Sequence, residues 1–99
     1  MKIQILYIGR HPEILSTVLR LINQNEDWQA FGANTDEEAM AVFKQQTYDL
    51  VLLGNGIEEE AENKLRSFFT KLQPNVKIIQ HYGGGSGLLS NEIKEALKK

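Results

Sequence analysis

Apolar and polar positions change their period several times along the chain, and each change marks an element. Ile3 to Ile8 is rich in isoleucine and closes at Gly9, which predicts a strand. Pro12 suits the first turn of a helix, where its missing N–H costs nothing, and this puts His11 near the N-cap. Ile14, Leu15, Val18, Leu19, Leu21 and Ile22 form a helical stripe that Asn23-Gln24-Asn25 ends. Trp28 to Ala33 predicts a less regular strand, interrupted by Gly32. Thr35 and Glu38 have the spacing of a capping box, each side chain satisfying a backbone N–H of the other. The helix they open carries Ala39, Met40, Val42 and Phe43 and stops before Tyr48. Leu50 to Leu53 is then a continuous apolar run between Asp49 and Gly54-Asn55-Gly56. A run without polar alternation suits a strand covered on both faces.

Glu58-Glu59-Glu60 places carboxylates at the positive end of a third helix, whose apolar positions are Ala61, Leu65, Phe68, Phe69 and Leu72. Phe68 and Phe69 are adjacent, so they cannot share one face; one is expected exposed or against a partner. Pro74 stops this helix, and Val76 to Ile79 predicts a fourth strand whose furthest reach is His81. Leu88-Leu89 suggests a short fifth strand. Ser90 or Asn91 would then cap a last helix with Ile93, Ala96 and Leu97 inward and Lys94, Lys98 and Lys99 toward its end. Alternating strands and helices with right-handed crossovers predict one α/β domain over residues 1–99, an open, doubly wound parallel sheet. Such sheets carry their sites just beyond the carboxyl ends of the strands. The central strand ends there on Gly54, which has no side chain.

Composition narrows the classes. A net charge of −2 over 99 residues leaves no electrostatic footprint for nucleic acid or an acidic membrane surface. There is no cysteine, hence no disulfide or thiolate metal site, which fits a reducing cytoplasm. No leader is expected before Ile3, and no apolar run approaches transmembrane length. His11 and His81 both fall near strand carboxyl ends but lack the spacing and the third ligand of a metal site. Gly83 to Gly87 lacks the Gly-Lys-Ser/Thr ending of a phosphate-binding loop and reads as a flexible connection. Glu58 to Glu60 reads as a solvated face stabilised by the helix dipole. No serine–histidine–acid or cysteine–histidine set is readable, so neither enzyme activity nor a metal or other cofactor is expected.

Four short motifs in order resemble the receiver domain of two-component response regulators. Ile8-Gly9-Arg10-His11-Pro12-Glu13-Ile14-Leu15 is similar to the family's Val-Asp-Asp-His-Pro segment after the first strand. Ala33-Asn34-Thr35-Asp36-Glu37-Glu38-Ala39-Met40 resembles the opening of its second helix. Tyr48-Asp49-Leu50-Val51-Leu52-Leu53 is similar to the run preceding its phospho-accepting aspartate. Gly84-Gly85-Ser86-Gly87-Leu88-Leu89-Ser90-Asn91 resembles its fifth-strand segment. The resemblance covers nearly the whole chain and implies a flavodoxin-like sheet of order 2-1-3-4-5, with the fourth helix missing and the fifth strand short.

The family's functional positions all depart from its pattern. Its acidic pair falls on Gly9 and Arg10, its phospho-acceptor on Gly54, its switch hydroxyl on Tyr82 beside His81, and its lysine on Asn91. Magnesium needs hard oxygen ligands, and a guanidinium at position 10 repels it. Gly54 offers no nucleophile, and the neighbouring Asn55 carries only an amide. The resemblance then implies a phosphorylation-independent protein-interaction module of bacterial signalling. The alternative is an anion- or nucleotide-binding sensor with contacts from Arg10, Asn55 and His81. Loss of the fourth helix would bare a sheet face, so a protein partner, a second copy included, is expected to cover it.

Overall fold

Apolar runs of this kind need cover on both sides, and two of the four strands have it. The computed structural model describes residues 2–54, 56–80 and 86–98. Their order is β1 (Ile3–Ile8), α1 (Pro12–Asn23), β2 (Trp28–Ala33), α2 (Asp36–Phe43), β3 (Leu50–Leu53), α3 (Glu59–Leu72), β4 (Lys77–Gln80) and α4 (Ser86–Lys98). The strands form one parallel sheet in the order β2-β1-β3-β4. Every residue of β3 is buried, whereas all four of β4, at the sheet's edge, are only half-buried.

The two-residue period of the strands divides the interior into two cores. Ile5, Tyr7, Leu50 and Leu52 face one side, where Val18 and Ile22 of α1 and Leu89, Ile93 and Ala96 of α4 cover them. Leu6, Ile8, Val51 and Leu53 face the other, under Ala39 and Phe43 of α2 and Leu65 and Phe69 of α3. Phe69 stacks obliquely on Phe43 at 4.4 Å between ring centres, and Phe43 lies over Tyr48 at 5.5 Å. Phe68 turns away from Phe69's position and is half-buried, with the Lys44 ammonium 5.7 Å above its ring. Its cover comes from within the chain.

Several expectations change in detail. Ile14 and Leu72, assigned above to apolar stripes, are 53% and 49% exposed, since each lies at the margin of its helix's buried face. The Thr35 hydroxyl accepts from the Glu38 N–H at 3.1 Å as a capping box requires. Glu38 reaches one residue further back, where its Oε1 accepts from the Asn34 N–H at 3.0 Å. The largest change concerns Leu88-Leu89, expected as a short strand: both lie inside α4. The reason is periodic, since Leu89, Ile93 and Ala96 make one stripe that seats on the first core, and the helix extends to include all three. Ser90 and Asn91 are accordingly interior to the helix and cap nothing. Within Gly83–Gly87, positions 83–85 lie outside the described residues. No helix among the described residues is long and apolar enough to cross a membrane.

Candidate functional site at the strand ends

The carboxyl ends of β1 and β3 lie side by side, because the two strands pair in register from Ile5 with Leu50 to Ile8 with Leu53. One residue further on, the chain has glycine at both ends, Gly9 and Gly54, and both are buried. Their amides are used internally. Gly9 N–H donates to the Ala33 carbonyl at 3.0 Å, and Gly54 N–H donates to the Ile8 carbonyl at 2.8 Å. The sheet's hydrogen bonding thus continues one residue past each strand, consuming donors that a strand-end ligand would otherwise meet.

Tyr7 fills the space between them. Side chains two residues apart in a strand share a face, so Tyr7 shares its face with Gly9, and Leu52, paired with Tyr7, shares its face with Gly54. A Cβ built at Gly9 would stand 2.8 Å from Tyr7 Cε2. One built at Gly54 would stand 2.8 Å from Tyr7 Cζ, closer still to its hydroxyl oxygen, and 3.0 Å from the Ile8 carbonyl oxygen. Tyr7 is only 2% exposed, and burial pushes the pKa of its phenol up, because the phenolate would lose its hydration. The motif reading missed Tyr7. The available signal was steric: a large aromatic two positions before Gly9, with a second glycine at the end of the paired strand.

Arg10 points away along the rim. Its guanidinium donates to Asp36 Oδ1 at 2.6 Å and to the Asn34 carbonyl at 3.3 Å, tying the turn after β1 to the start of α2. The pair is partly sheltered, the two side chains being 26% and 28% exposed. Next to it, Gly56 adopts φ +91°, a left-handed conformation that favours glycine, with Arg10 Cγ 3.4 Å from where a Cβ would lie.

The other residues singled out from the sequence fall as follows. His11 occupies the N-cap of α1, exposed, with no side-chain capping bond. Asn91 is exposed on α4 and lines a groove with Lys77, Ile78 and Ile79 of β4. Asn55, His81 and Tyr82 lie outside the described residues. Glu58, Glu59 and Glu60 are exposed at the start of α3. Glu62, which follows them, accepts from Arg66 at 2.7 Å and from Gln80 Nε2 at 2.8 Å. The described residues contain no group of three or more His, Cys, Asp or Glu side chains that could hold a metal ion. Gly9, Arg10 and Gly54 are brought together at the strand ends, and they present one paired cation and no nucleophile.

No family model matches the chain, and no curated protein does. Solved structures do. A CheY-like response regulator receiver domain protein from Methanospirillum hungatei superposes with a TM-score of 0.81 at 18% identity, over 99% of this chain and 95% of that one. A response regulator from Thermotoga maritima gives 0.81 at 13% identity, covering 100% of both chains. A putative pilus assembly protein from Burkholderia thailandensis gives 0.73 at 11% identity, over 98% of this chain and 99% of that one. The fold is that of response-regulator receiver domains.

Proposed function

We propose that this receiver-fold chain is a protein-interaction module of bacterial signalling, cytoplasmic, that works by binding and without phosphorylation. The observation that carries the reading is Gly54. It stands at the end of the central strand with its amide spent on the Ile8 carbonyl and no side chain to take a phosphoryl group. Gly9 and Arg10 support it, since neither carries a side-chain carboxylate to hold magnesium and the guanidinium already holds Asp36. Incubation with labelled acetyl phosphate and magnesium tests the proposal. The expected outcome is no acid-stable or acyl-phosphate label; stoichiometric label on any residue overturns it.

The surface we assign to binding is the open side of β4. Ile78 and Ile79 are half-buried there beside a mainly apolar groove that Ala96 of α4 completes. Lys77 on one wall and Glu92 and Glu95 on the other give the groove charges of both signs, which a two-fold-related copy can pair. A second copy of the chain is therefore the partner we propose, and molar mass by light scattering over a range of concentrations tests it. A strict monomer at millimolar protein removes this part of the proposal. The competing anion-sensor reading would have to recruit Arg10 against Asp36. A rise in melting temperature with phosphate or nucleotides would revive it.

A further inference from the structure

We propose that Tyr7 is the permanent internal occupant of the strand-end site, and that Gly9 and Gly54 are glycines because of it. The three residues form one steric unit, and Tyr7 decides what the site admits. This deepens the reading above: the missing acceptor at position 54 is matched by a filled volume, so restoring a side chain there does not restore a site.

A Cβ at position 54 would meet Tyr7 Cζ at 2.8 Å, closer than Cβ atoms approach other heavy atoms, and the Ile8 carbonyl oxygen at 3.0 Å. Neither neighbour yields cheaply. The ring is rigid and 2% exposed, and the carbonyl accepts the Gly54 N–H in the hydrogen bonding that extends the sheet. Gly32 makes the contrast. A Cβ there would meet Leu19 Cδ1 at 2.6 Å and Leu15 Cδ1 at 3.0 Å, but these are the ends of side chains with rotamers to spare. Gly9 adds an independent observation on the other strand, since its Cβ would meet the same ring at 2.8 Å. Two glycines from paired strands therefore converge on one aromatic side chain. Any residue larger than glycine at either position must displace the buried Tyr7 ring unless Tyr7 is made smaller.

A double-mutant cycle tests this on the full chain. Gly54→Ala, Tyr7→Val and the double variant are unfolded by heat, with Gly9→Ala and its Tyr7→Val combination as a second cycle. In the native background Gly54→Ala is expected to lower the melting temperature by on the order of 10 °C. In the Tyr7→Val background most of that loss should vanish, and Gly9→Ala should behave alike. Tyr7→Phe, which removes only the nearest atom, should relieve Gly54→Ala in part. If Gly54→Ala does not fold, recovery of a cooperative transition in the double variant supports the proposal. An equal loss in both backgrounds, or a double variant unfolded where Tyr7→Val folds, overturns it. Labelling of the native chain by acetyl phosphate is a separate outcome. It would end the phosphorylation-independent reading, whereas absence of coupling would end only the Tyr7 proposal.

Discussion

The phenol of Tyr7 makes a pH prediction that a surface tyrosine would not. Burial raises its pKa above the ordinary 10.0, and burial does the same for Tyr48. The unfolded chain therefore ionises first on the alkaline side and holds fewer protons than the folded one. Stability from these groups is fully present below about pH 10 and is lost as pH rises through their folded values. Alkaline denaturation monitored by tyrosinate absorbance should show a cooperative loss above about pH 10, diminished in Tyr7→Phe. Arg10 and Asp36 supply a second test at this scale. Their pair is a quarter exposed and partly screened, so Asp36→Asn should cost only about 1 kcal/mol, less at high salt. Urea unfolding at low and high ionic strength measures both. Gly9, Arg10 and Gly54 were legible in the sequence because a motif with its functional groups replaced is visible position by position. Tyr7 was not, because its meaning lies in the volume it shares with a glycine 47 positions on, and only strand register shows that they meet.

Among the elements, the parts that depended on local chemistry were readable and those that depended on tertiary packing were not. The Thr35 cap is local, and Thr35→Ala should cost about 1 kcal/mol by loss of its bond to the Glu38 N–H. Less visible is Gln73, just past α3. Its Oε1 accepts from the Tyr48 N–H at 2.8 Å and its Nε2 donates to the Gln46 carbonyl at 2.9 Å. One side chain thus fastens the end of α3 to the entry of β3. Gln73→Ala leaves two backbone groups without their partner and should cost roughly 1–3 kcal/mol, read as a shift in the urea midpoint with an unchanged slope. Truncating Phe69, the ring that joins α3 to Phe43, is the larger insult at about 3–5 kcal/mol. The segment expected as a fifth strand shows the limit of short patterns. Leu88-Leu89 fits a strand when taken alone, and only the seat for Leu89 on the α1 side of the sheet decides for a helix.

For the whole molecule, the alternation within β1 and β3 makes the two cores inseparable. Ile5 and Tyr7 belong to one core and Leu6 and Ile8 to the other, as do Leu50 and Leu52 against Val51 and Leu53. Loss of either helical layer exposes one face of both central strands, so neither layer can unfold and leave the other with a complete core. A chain built this way should unfold in one cooperative transition, and circular dichroism and Trp28 fluorescence should report the same midpoint, Trp28 being buried in the first core. Hydrogen exchange should grade the strands by position. The β3 amides, paired on both sides and buried on both faces, should exchange only by global unfolding. In β4 the outcome depends on direction. Lys77 donates to the Asp49 carbonyl, toward β3, and by alternation Ile78 presents its backbone outward. Arg66 caps the Ile78 carbonyl from α3 at 3.3 Å, which protects an acceptor but no amide. The amide of Ile78 should therefore exchange well ahead of those of Lys77 and Ile79 in dilute protein. At concentrations where a second copy covers the β4 side, these rates should converge. If the Ile78 amide stays fast at every concentration, the outer edge of β4 is not where the chain binds.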